Sequence, residues 1–378
     1  ALAYLVPRGA GEQVELSFGT LAARAADAAR SLVAAGCGPG ARVALMFEPG
    51  SSFVVGLLGT FLAGCAAVPV ARPSGPAMRE RVEAILAEAD CAVLLTEAGT
   101  VREGLPFGGR VVRIGDPPAA ALPERETEPG SVAIIQYTSG STGTPRGVLV
   151  THGALAAQLR AINRAVRSEG DERAVTWLPP EHDMGLVGGL LFNLWQGGAT
   201  CVLPPASFIR RPLLWLDAIS RWRGTISVAP NFAYDLCVQA VPPDRRASLD
   251  LSCWRVALNG AEPVRPETME RFAEAFAPAG FDARAFLPCY GLAEATLLVS
   301  GAPRGAGAAT AWFDADALDR GEVVPSGVGT GRCLASSGPV RTTGGVRIVA
   351  PATGAARPPD RTGEIWIAGD SLGSGYHG

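Results

Sequence analysis

Helix-like and strand-like segments alternate along the first part of the chain, and this alternation constrains the fold more than any other feature. Apolar residues at helical spacing over residues 16–36 predict a helix, and the short apolar run Arg42–Phe47 predicts a buried strand. The same order continues with predicted helices at Ser52–Ala63 and Met78–Ala89, and predicted strands at Ala66–Val70, Ala92–Thr96 and Arg110–Ile114. Such alternation is typical of a mainly parallel sheet with helices on its faces.

A second region of the same kind follows a proline-rich, charged stretch at residues 115–130. It contains a predicted helix at Gly153–Val166 and predicted strands at Val132–Tyr137, Val148–Val150, Ala174–Trp177, Thr200–Leu203, Thr225–Val228 and Arg255–Asn259. From about residue 301 the pattern changes to short β segments with Gly/Pro turns. We therefore predict an α/β fold of two helix-flanked, mainly parallel sheets packed together. The predicted units are residues 1–130, residues 131–300, and residues 301–378 as the start of a smaller β-rich subdomain.

Composition excludes several classes of protein. The 378 residues are 48% hydrophobic and 18% charged, with a net charge of −3, and no basic run carries interleaved aromatic residues, so we expect no nucleic-acid partner. The eight cysteines form no CxxC pair and only three histidines accompany them, which favours free thiols over a metal site. Because the sequence has neither a signal-peptide pattern nor an apolar run long enough to span a bilayer, we expect a cytoplasmic protein without a membrane span.

A loop at residues 137–147, with the sequence YTSGSTGTPRG, lies between two predicted strands. Its glycines let the backbone amides converge on one point, and five Ser and Thr hydroxyls add donors, which suits a polyphosphate. A flexible polar linker is the alternative, but the strand patterns directly before and after the loop argue against it. A Walker-type P-loop is excluded because the chain contains no lysine.

The order of residues in this loop resembles the nucleotide loop of the adenylate-forming superfamily, which includes acyl-CoA synthetases, luciferases and adenylation domains of peptide synthetases. The resemblance implies ATP and Mg²⁺ as cofactors. It also implies phosphate binding by Thr138, Ser139, Gly140, Ser141, Thr142, Gly143 and Arg146, where Arg146 replaces the usual lysine.

The segment WLPPEHDMGL at residues 177–186 resembles the WLPxxHDMG motif of one branch, the fatty acyl-AMP ligases. A His beside an Asp is more often structural, but the resemblance implies that His182 is catalytic and lies beside the acyl carboxylate. Glu181 replaces an expected tyrosine.

The segment at residues 227–237 resembles the part of these ligases that lines the acyl tunnel, although core packing alone would also explain it. The implied acyl pocket consists of Asp183, Met184, Gly185, Val228, Ala229, Pro230, Phe232 and Tyr234.

Two further segments, ALNGAEPV at residues 257–264 and PCYGLAEAT at residues 288–296, resemble the adenine-binding turn and the aromatic and metal-binding motif of the family. Strand-end turns without ligands are also common. The implied adenine-binding residues are Asn259, Gly260, Ala261, Glu262, Tyr290, Gly291 and Leu292. Glu294 is implied as a catalytic residue that holds Mg²⁺ together with Thr142. Ala293 stands where many members have threonine, a substitution typical of the fatty acyl-AMP branch.

The resemblance covers the whole chain but only the first two-thirds or so of a complete ligase. A ribose-binding aspartate and a mobile C-terminal domain with a catalytic lysine are expected beyond the last residue. Residues 302–340 resemble the insertion that distinguishes fatty acyl-AMP ligases from CoA ligases, with an ordinary long loop as the alternative.

The implied activity is ATP-dependent conversion of a fatty acid to acyl-adenylate. Transfer to the phosphopantetheine arm of an acyl carrier protein in polyketide or nonribosomal peptide biosynthesis would follow. An acyl-CoA synthetase and a non-catalytic acyl- or nucleotide-binding module are the alternatives.

Overall fold

The computed structural model describes residues 2–8, 12–100, 107–115, 121–123, 126–138, 145–168 and 170–378. The described strands are β1 (Leu2–Arg8), β2 (Glu12–Ser17), β3 (Arg42–Met46), β4 (Ala66–Pro69), β5 (Val93–Thr96), β6 (Arg110–Arg113), β7 (Val132–Thr138), β8 (Arg146–Thr151), β9 (Arg173–Thr176), β10 (Ala199–Val202), β11 (Ile226–Ala229), β12 (Val256–Asn259), β13 (Phe286–Gly291), β14 (Leu298–Gly301), β15 (Thr310–Phe313), β16 (Arg332–Ala335), β17 (Gly345–Val349) and β18 (Glu364–Ala368).

The described α-helices are α1 (Phe18–Ala34), α2 (Ser51–Leu62), α3 (Pro76–Glu88), α4 (His152–Val166), α5 (Phe192–Trp195), α6 (Pro205–Arg210), α7 (Leu213–Trp222), α8 (Asn231–Ala240), α9 (Pro243–Arg246), α10 (Pro266–Phe276) and α11 (Ala315–Asp319). A π-helix occupies Met184–Leu191, and single 3₁₀ turns occupy Ala277–Ala279, Ala283–Ala285 and Ala293–Ala295.

The first sheet has six described strands in the order β6-β5-β3-β4-β7-β8. Neighbouring strands are parallel except for β7 and β8, which form an antiparallel pair. The predicted helices that connect these strands are present, and α1 packs tightly on α2. A Cβ atom at Gly59 of α2 would lie 2.7 Å from the Cβ of Ala28 of α1, so only glycine allows this close approach.

The second sheet has eight described strands in the order β14-β13-β12-β11-β9-β10-β1-β2. Its six inner strands are parallel, while β14 and β2 run antiparallel at the two edges. The prediction of two mainly parallel, helix-flanked sheets is therefore confirmed. Two small antiparallel pairs, β15 with β16 and β17 with β18, follow the second sheet in the chain.

The sheets do not divide the chain at residue 130. Strands β7 and β8 belong to the first sheet, since Ile134 of β7 pairs with Ala67 of β4. Conversely, β1 pairs with β10 of the second sheet. Residues 115–130 therefore connect β6 and β7 within one sheet. Sheet membership therefore does not follow the predicted boundary, because a proline-rich connection has the same sequence pattern whether it joins two sheets or two strands of one sheet.

None of the helices in the described part of the chain has both the length and the apolar character needed to cross a membrane. All eight cysteines lie in this part, none forms a disulfide within the described residues, and five of them are buried.

Candidate active site

A cavity of about 820 Å³ opens beyond the carboxyl ends of the parallel strands of both sheets. Ligands bind at this edge in open α/β sheets, and the volume is typical of small-molecule sites. Its polar lining comprises Arg81, Gln136, Tyr137, Thr138, Glu181, His182, Asp183, Tyr290 and Glu294. Much of its apolar lining comes from Val70, Met78, Val82, Ile85, Ile162, Met184, Phe192, Ile226, Val228, Leu258, Leu297 and Leu298. The cavity thus combines a polar region with an apolar one.

His182 lies in the turn between β9 and the π-helix, where the sequence predicted it. Its Nδ1 is 2.7 Å from Oδ1 of Asp183, and the same oxygen accepts the backbone N–H of Met184 at 2.7 Å. Asp183 therefore both caps the π-helix and orients the imidazole. Its hydrogen bond to His182 raises the pKa of the imidazole above its usual value. Since the His182 side chain is 56% exposed, a ligand in the cavity can reach it.

The π-helix itself is a rare element, found mostly at functional sites. Gly185 allows it to begin at this point, because a Cβ atom on this residue would collide with the backbone oxygen of Pro179. Gly185 therefore shapes the turn beside His182. It is not among the residues that line the cavity, although the sequence placed it in the acyl pocket.

Glu181 and Gln136 connect the two sheets at the cavity. The side-chain amide of Gln136 donates to the backbone oxygen of Glu181 at 2.7 Å. Burial raises the pKa of the Glu181 carboxyl above its usual range. Within the described residues this carboxyl has no ion-pair partner, so a titratable group is left facing the cavity.

Glu294 lies on the 3₁₀ turn that follows β13, and its carboxylate lines the cavity. One carboxylate oxygen accepts a hydrogen bond from the hydroxyl of Tyr376 at 2.6 Å. The ring of Tyr376 in turn lies 5.7 Å from the guanidinium of Arg146, where β8 leaves the predicted phosphate loop. Arg146 is exposed and does not line the cavity.

Of the other predicted phosphate-binding residues, Thr138 lines the cavity, whereas Ser139, Gly140, Ser141, Thr142 and Gly143 lie outside the described residues.

The predicted adenine-binding residues lie at the ends of the neighbouring strands β12 and β13. Ala261, Tyr290, Gly291 and Leu292 line the cavity. Ala261 has a φ of +69°, which is uncommon for a residue other than glycine and frequent at functional sites. Burial raises the pKa of Tyr290, and the charge of Glu294 raises it further.

Asn259, Gly260 and Glu262 support this turn without lining the cavity. Asn259 is fully buried and donates to the side-chain oxygen of Asn231 at 2.9 Å. Glu262 points away and accepts the backbone N–H of Phe232 at 3.1 Å. These contacts fix the start of α8 against the turn.

The structure places the residues of the predicted acyl pocket in different surroundings. Asp183, Met184 and Val228 line the cavity, but Ala229, Pro230, Phe232 and Tyr234 do not. Tyr234 is fully buried, donates to the backbone oxygen of Leu258 at 3.0 Å, and packs among aromatic rings that include Trp254. Phe232 is 46% exposed and borders a separate surface depression. On α8 the helical spacing buries Tyr234 in the core and leaves Phe232 outside.

Sequence reasoning missed the contribution of α3. Four residues of this helix line the cavity: Met78, Arg81, Val82 and Ile85. The helix was predicted, but no local motif indicates which of its faces covers a cavity built mainly by the other sheet.

Among the described residues, no group of three or more His, Cys, Asp and Glu side chains could hold a metal ion.

A sequence model of the family described as AMP-binding enzyme matches residues 1–377. The chain belongs to the AMP-binding enzyme family. It is 39% identical over 354 residues to the medium-chain-fatty-acid acyl-carrier-protein ligase JamA of Moorena producens, and the match covers 89% of this chain and 60% of that protein. It is 36% identical over 383 residues to a putative acyl-CoA synthetase of Caulobacter vibrioides, and that match covers 97% of this chain and 66% of that protein.

Among solved structures, this AMP-binding enzyme is similar to the fatty acyl-adenylate ligase from Legionella pneumophila in complex with acyl adenylate and pyrophosphate. The TM-score is 0.93 with 34% sequence identity, and the match covers 100% of this chain and 67% of that chain. The chain thus spans between 60% and 67% of the length of these three proteins.

Proposed function

We propose that this chain forms the acyl-adenylate site of a fatty acyl-AMP ligase, which converts a fatty acid and ATP to acyl-AMP and pyrophosphate. The observation that carries the proposal is that the His182–Asp183 pair, Thr138 and Glu294 line the same cavity, which also has an apolar lining. A fatty acid and a nucleotide require such a division into apolar and polar regions. The similarity to a ligase with bound acyl adenylate and pyrophosphate supports this function.

In the proposed reaction, a carboxylate oxygen of the fatty acid attacks the α-phosphorus of ATP. The bond from this phosphorus to the oxygen bridging to the β-phosphate breaks, and pyrophosphate leaves. The protein contributes mainly by placing the two anions in line and stabilising their charge. His182 suits this task because its raised pKa keeps the imidazole positively charged over a wider pH range.

We assign the phosphates to Thr138, Arg146 and the loop at residues 139–143, and the adenine to the turn at Ala261 and the ring of Tyr290. The donor chemistry also fits Mg²⁺, a hard cation that prefers carboxylate and phosphate oxygens. Glu294 lines the cavity, and only one of its carboxylate oxygens has a hydrogen-bond partner within the described residues. When bound with ATP, the cation neutralises charge on the phosphate oxygens.

We further propose that the acyl group passes to an acyl carrier protein, in polyketide or nonribosomal peptide biosynthesis. The thiol of the phosphopantetheine arm attacks the acyl carbonyl, a thioester forms, and AMP leaves. The similarity to JamA supports a carrier-protein acceptor. We also propose that the segment at residues 302–340, which follows β14 and contains the β15–β16 pair, is the insertion that distinguishes fatty acyl-AMP ligases from CoA ligases.

Pyrophosphate exchange tests the adenylation step. The protein, together with any residues that precede or follow this sequence, should exchange labelled pyrophosphate into ATP in the presence of fatty acids, and not with short or aryl acids. If no carboxylic acid supports exchange while ATP and fatty acids still bind, the protein is a non-catalytic binding module instead.

An acyl-CoA synthetase is the second candidate, favoured by the similarity to the Caulobacter vibrioides protein. Parallel assays with CoA and with a phosphopantetheinylated carrier protein separate the two functions. We expect acyl transfer to the carrier protein. Acyl-CoA as the main product would support the synthetase.

A further inference from the structure

Tyr376 contacts two residues to which the proposed function gives a role at the phosphates, Glu294 through the cation and Arg146 directly. Its hydroxyl donates to Oε1 of Glu294 at 2.6 Å, and its ring faces the guanidinium of Arg146 at 5.7 Å. Both partners are charged, and a hydrogen bond to a charged group is stronger than one between neutral groups. The side chain is nevertheless 46% exposed, so burial of the ring in the core does not account for its position.

The backbone around Tyr376 holds this side chain in place. Residues 373–377 run along the edge strand β8, where the N–H of Leu149 donates to the oxygen of Gly375 at 2.9 Å. The N–H of His377 donates to the oxygen of Gly147 at 2.7 Å. At the other end of the segment, the N–H of Gly373 donates to the backbone oxygen of Glu294 at 2.9 Å. One short segment is therefore bonded both to the strand leaving the phosphate loop and to the turn carrying Glu294.

The carboxylate of Glu294 needs such support. Glu294 lies on a single 3₁₀ turn, and a glutamate side chain has three rotatable bonds, so an unsupported carboxylate samples many orientations. The Tyr376 hydroxyl fixes one carboxylate oxygen. The second oxygen, which has no hydrogen bond within the described residues, is then left for a cation.

We propose that Tyr376 is a positioning residue whose hydroxyl orients Glu294 toward a divalent cation on the nucleotide, while its ring holds Arg146 at the start of β8. This inference rests on the proposed function. Groups that orient a metal ligand through a hydrogen bond typically change metal affinity by about 10- to 100-fold when they are removed.

ATP binding to the 378-residue protein tests the inference without requiring turnover. Calorimetric titrations with ATP are made in Mg²⁺ and in EDTA, on the unsubstituted protein, Tyr376→Phe and Glu294→Gln. Tyr376→Phe removes the hydroxyl but keeps the ring on Arg146. We expect it to leave the ATP affinity in EDTA unchanged and to reduce the gain in affinity from Mg²⁺ by about 10-fold, the lower end of the range for such groups. Glu294→Gln should reduce the gain at least as much.

Trp366→Phe is the matched control. It also removes a hydrogen bond between an exposed aromatic side chain and a glutamate, the 3.1 Å bond from Nε1 of Trp366 to Glu364, but on the β17–β18 pair. This variant should keep the full gain from Mg²⁺, and thermal unfolding should show that all variants are folded.

The outcomes separate this inference from the proposed function. A Tyr376→Phe protein with an undiminished gain from Mg²⁺, or with equal losses in Mg²⁺ and EDTA, would overturn the positioning role while the proposed function stands. Failure of the unsubstituted protein to bind ATP under either condition would contradict the proposed function and the inference together.

Discussion

The side-chain amide of Gln136 donates a hydrogen bond to the backbone oxygen of Glu181 across the two sheets. Gln136 belongs to β7 of the first sheet and is 4% exposed, whereas Glu181 follows β9 of the second sheet. We expect Gln136→Ala to lower the free energy of unfolding by about 1–3 kcal/mol, because the carbonyl of Glu181 loses its buried partner. Urea unfolding measures this change.

Gln239 provides the control for that substitution. It is exposed on α8, so Gln239→Ala should change the free energy of unfolding by no more than about 0.5 kcal/mol. Equal losses in the two variants would show that the bond between Gln136 and Glu181 does not stabilise the contact between the sheets.

The charge state of His182 should depend on Asp183. The hydrogen bond between them raises the pKa of His182, so the imidazole stays protonated to a higher pH than a free histidine. Asp183→Asn keeps an acceptor for the N–H of Met184 but removes the negative charge, and should lower the pKa of His182. NMR titration can follow this change because the chain has only three histidines. An unchanged titration midpoint would contradict the assignment.

His152 serves as an internal reference in the same spectra. Burial lowers the pKa of His152 below its usual value, the opposite direction to His182. Its titration should not move in the Asp183→Asn protein.

Much of the fold and part of the site could be predicted because the relevant signals are local. Apolar runs of strand length and helical spacing of apolar residues are set by neighbours in sequence, and they located the main elements of both sheets. Segments that follow parallel strands must meet at one edge of the sheets. For this reason His182 and Tyr290, which are far apart in sequence, both line one cavity.

The sheet membership of β7 and the surroundings of Tyr234 and Arg81 depend on contacts between distant parts of the chain, which no local sequence pattern predicts. The pairing of β7 with β4 decides which sheet residues 132–138 join, and composition carries no information about it. Tyr234 was predicted in the acyl pocket, and the sequence could not show that it packs in the aromatic core, because residues of the core and residues of a tunnel share the same apolar periodicity. Arg81 was missed because only packing of the two sheets brings α3 over the cavity.

Glu181 should make stability depend on pH. Burial raises its pKa, so the folded protein keeps this proton to a higher pH than the unfolded chain does. The resulting stabilisation is complete below the unfolded pKa and is lost as pH rises through the folded pKa. Glu181→Gln removes the ionised form. We therefore expect its melting temperature, relative to the unsubstituted protein, to be higher at a pH of about 7.5 than at a pH of about 4.5.

Glu270→Gln is the control for this substitution, because it also removes one carboxylate but at an exposed position on α10. Thermal unfolding of Glu270→Gln and Glu181→Gln across this pH range separates the effect of burial from a general change in charge. If the relative melting temperature of Glu181→Gln fell as pH rose, the Glu181 carboxyl would have a lowered pKa in the folded protein, contrary to the effect of burial.

Val228 and Tyr234 distinguish the cavity from the core that surrounds it. Val228 of β11 lines the cavity, so a larger side chain there should shorten the space for an acyl chain. We expect Val228→Phe to weaken the binding of long fatty acids more than that of short ones. Tyr234→Phe removes only the buried hydrogen bond to Leu258 and should lower the free energy of unfolding by about 1 kcal/mol.

Calorimetric titration with saturated fatty acids of graded length, together with urea unfolding, checks both expectations on the same pair of proteins. Because Tyr234 lies in the aromatic core, Tyr234→Phe should leave the dependence of affinity on chain length unchanged. If Tyr234→Phe instead shifted the preferred length while Val228→Phe did not, the acyl chain would occupy the core around α8, as the sequence motif alone suggested, and not the cavity between the sheets.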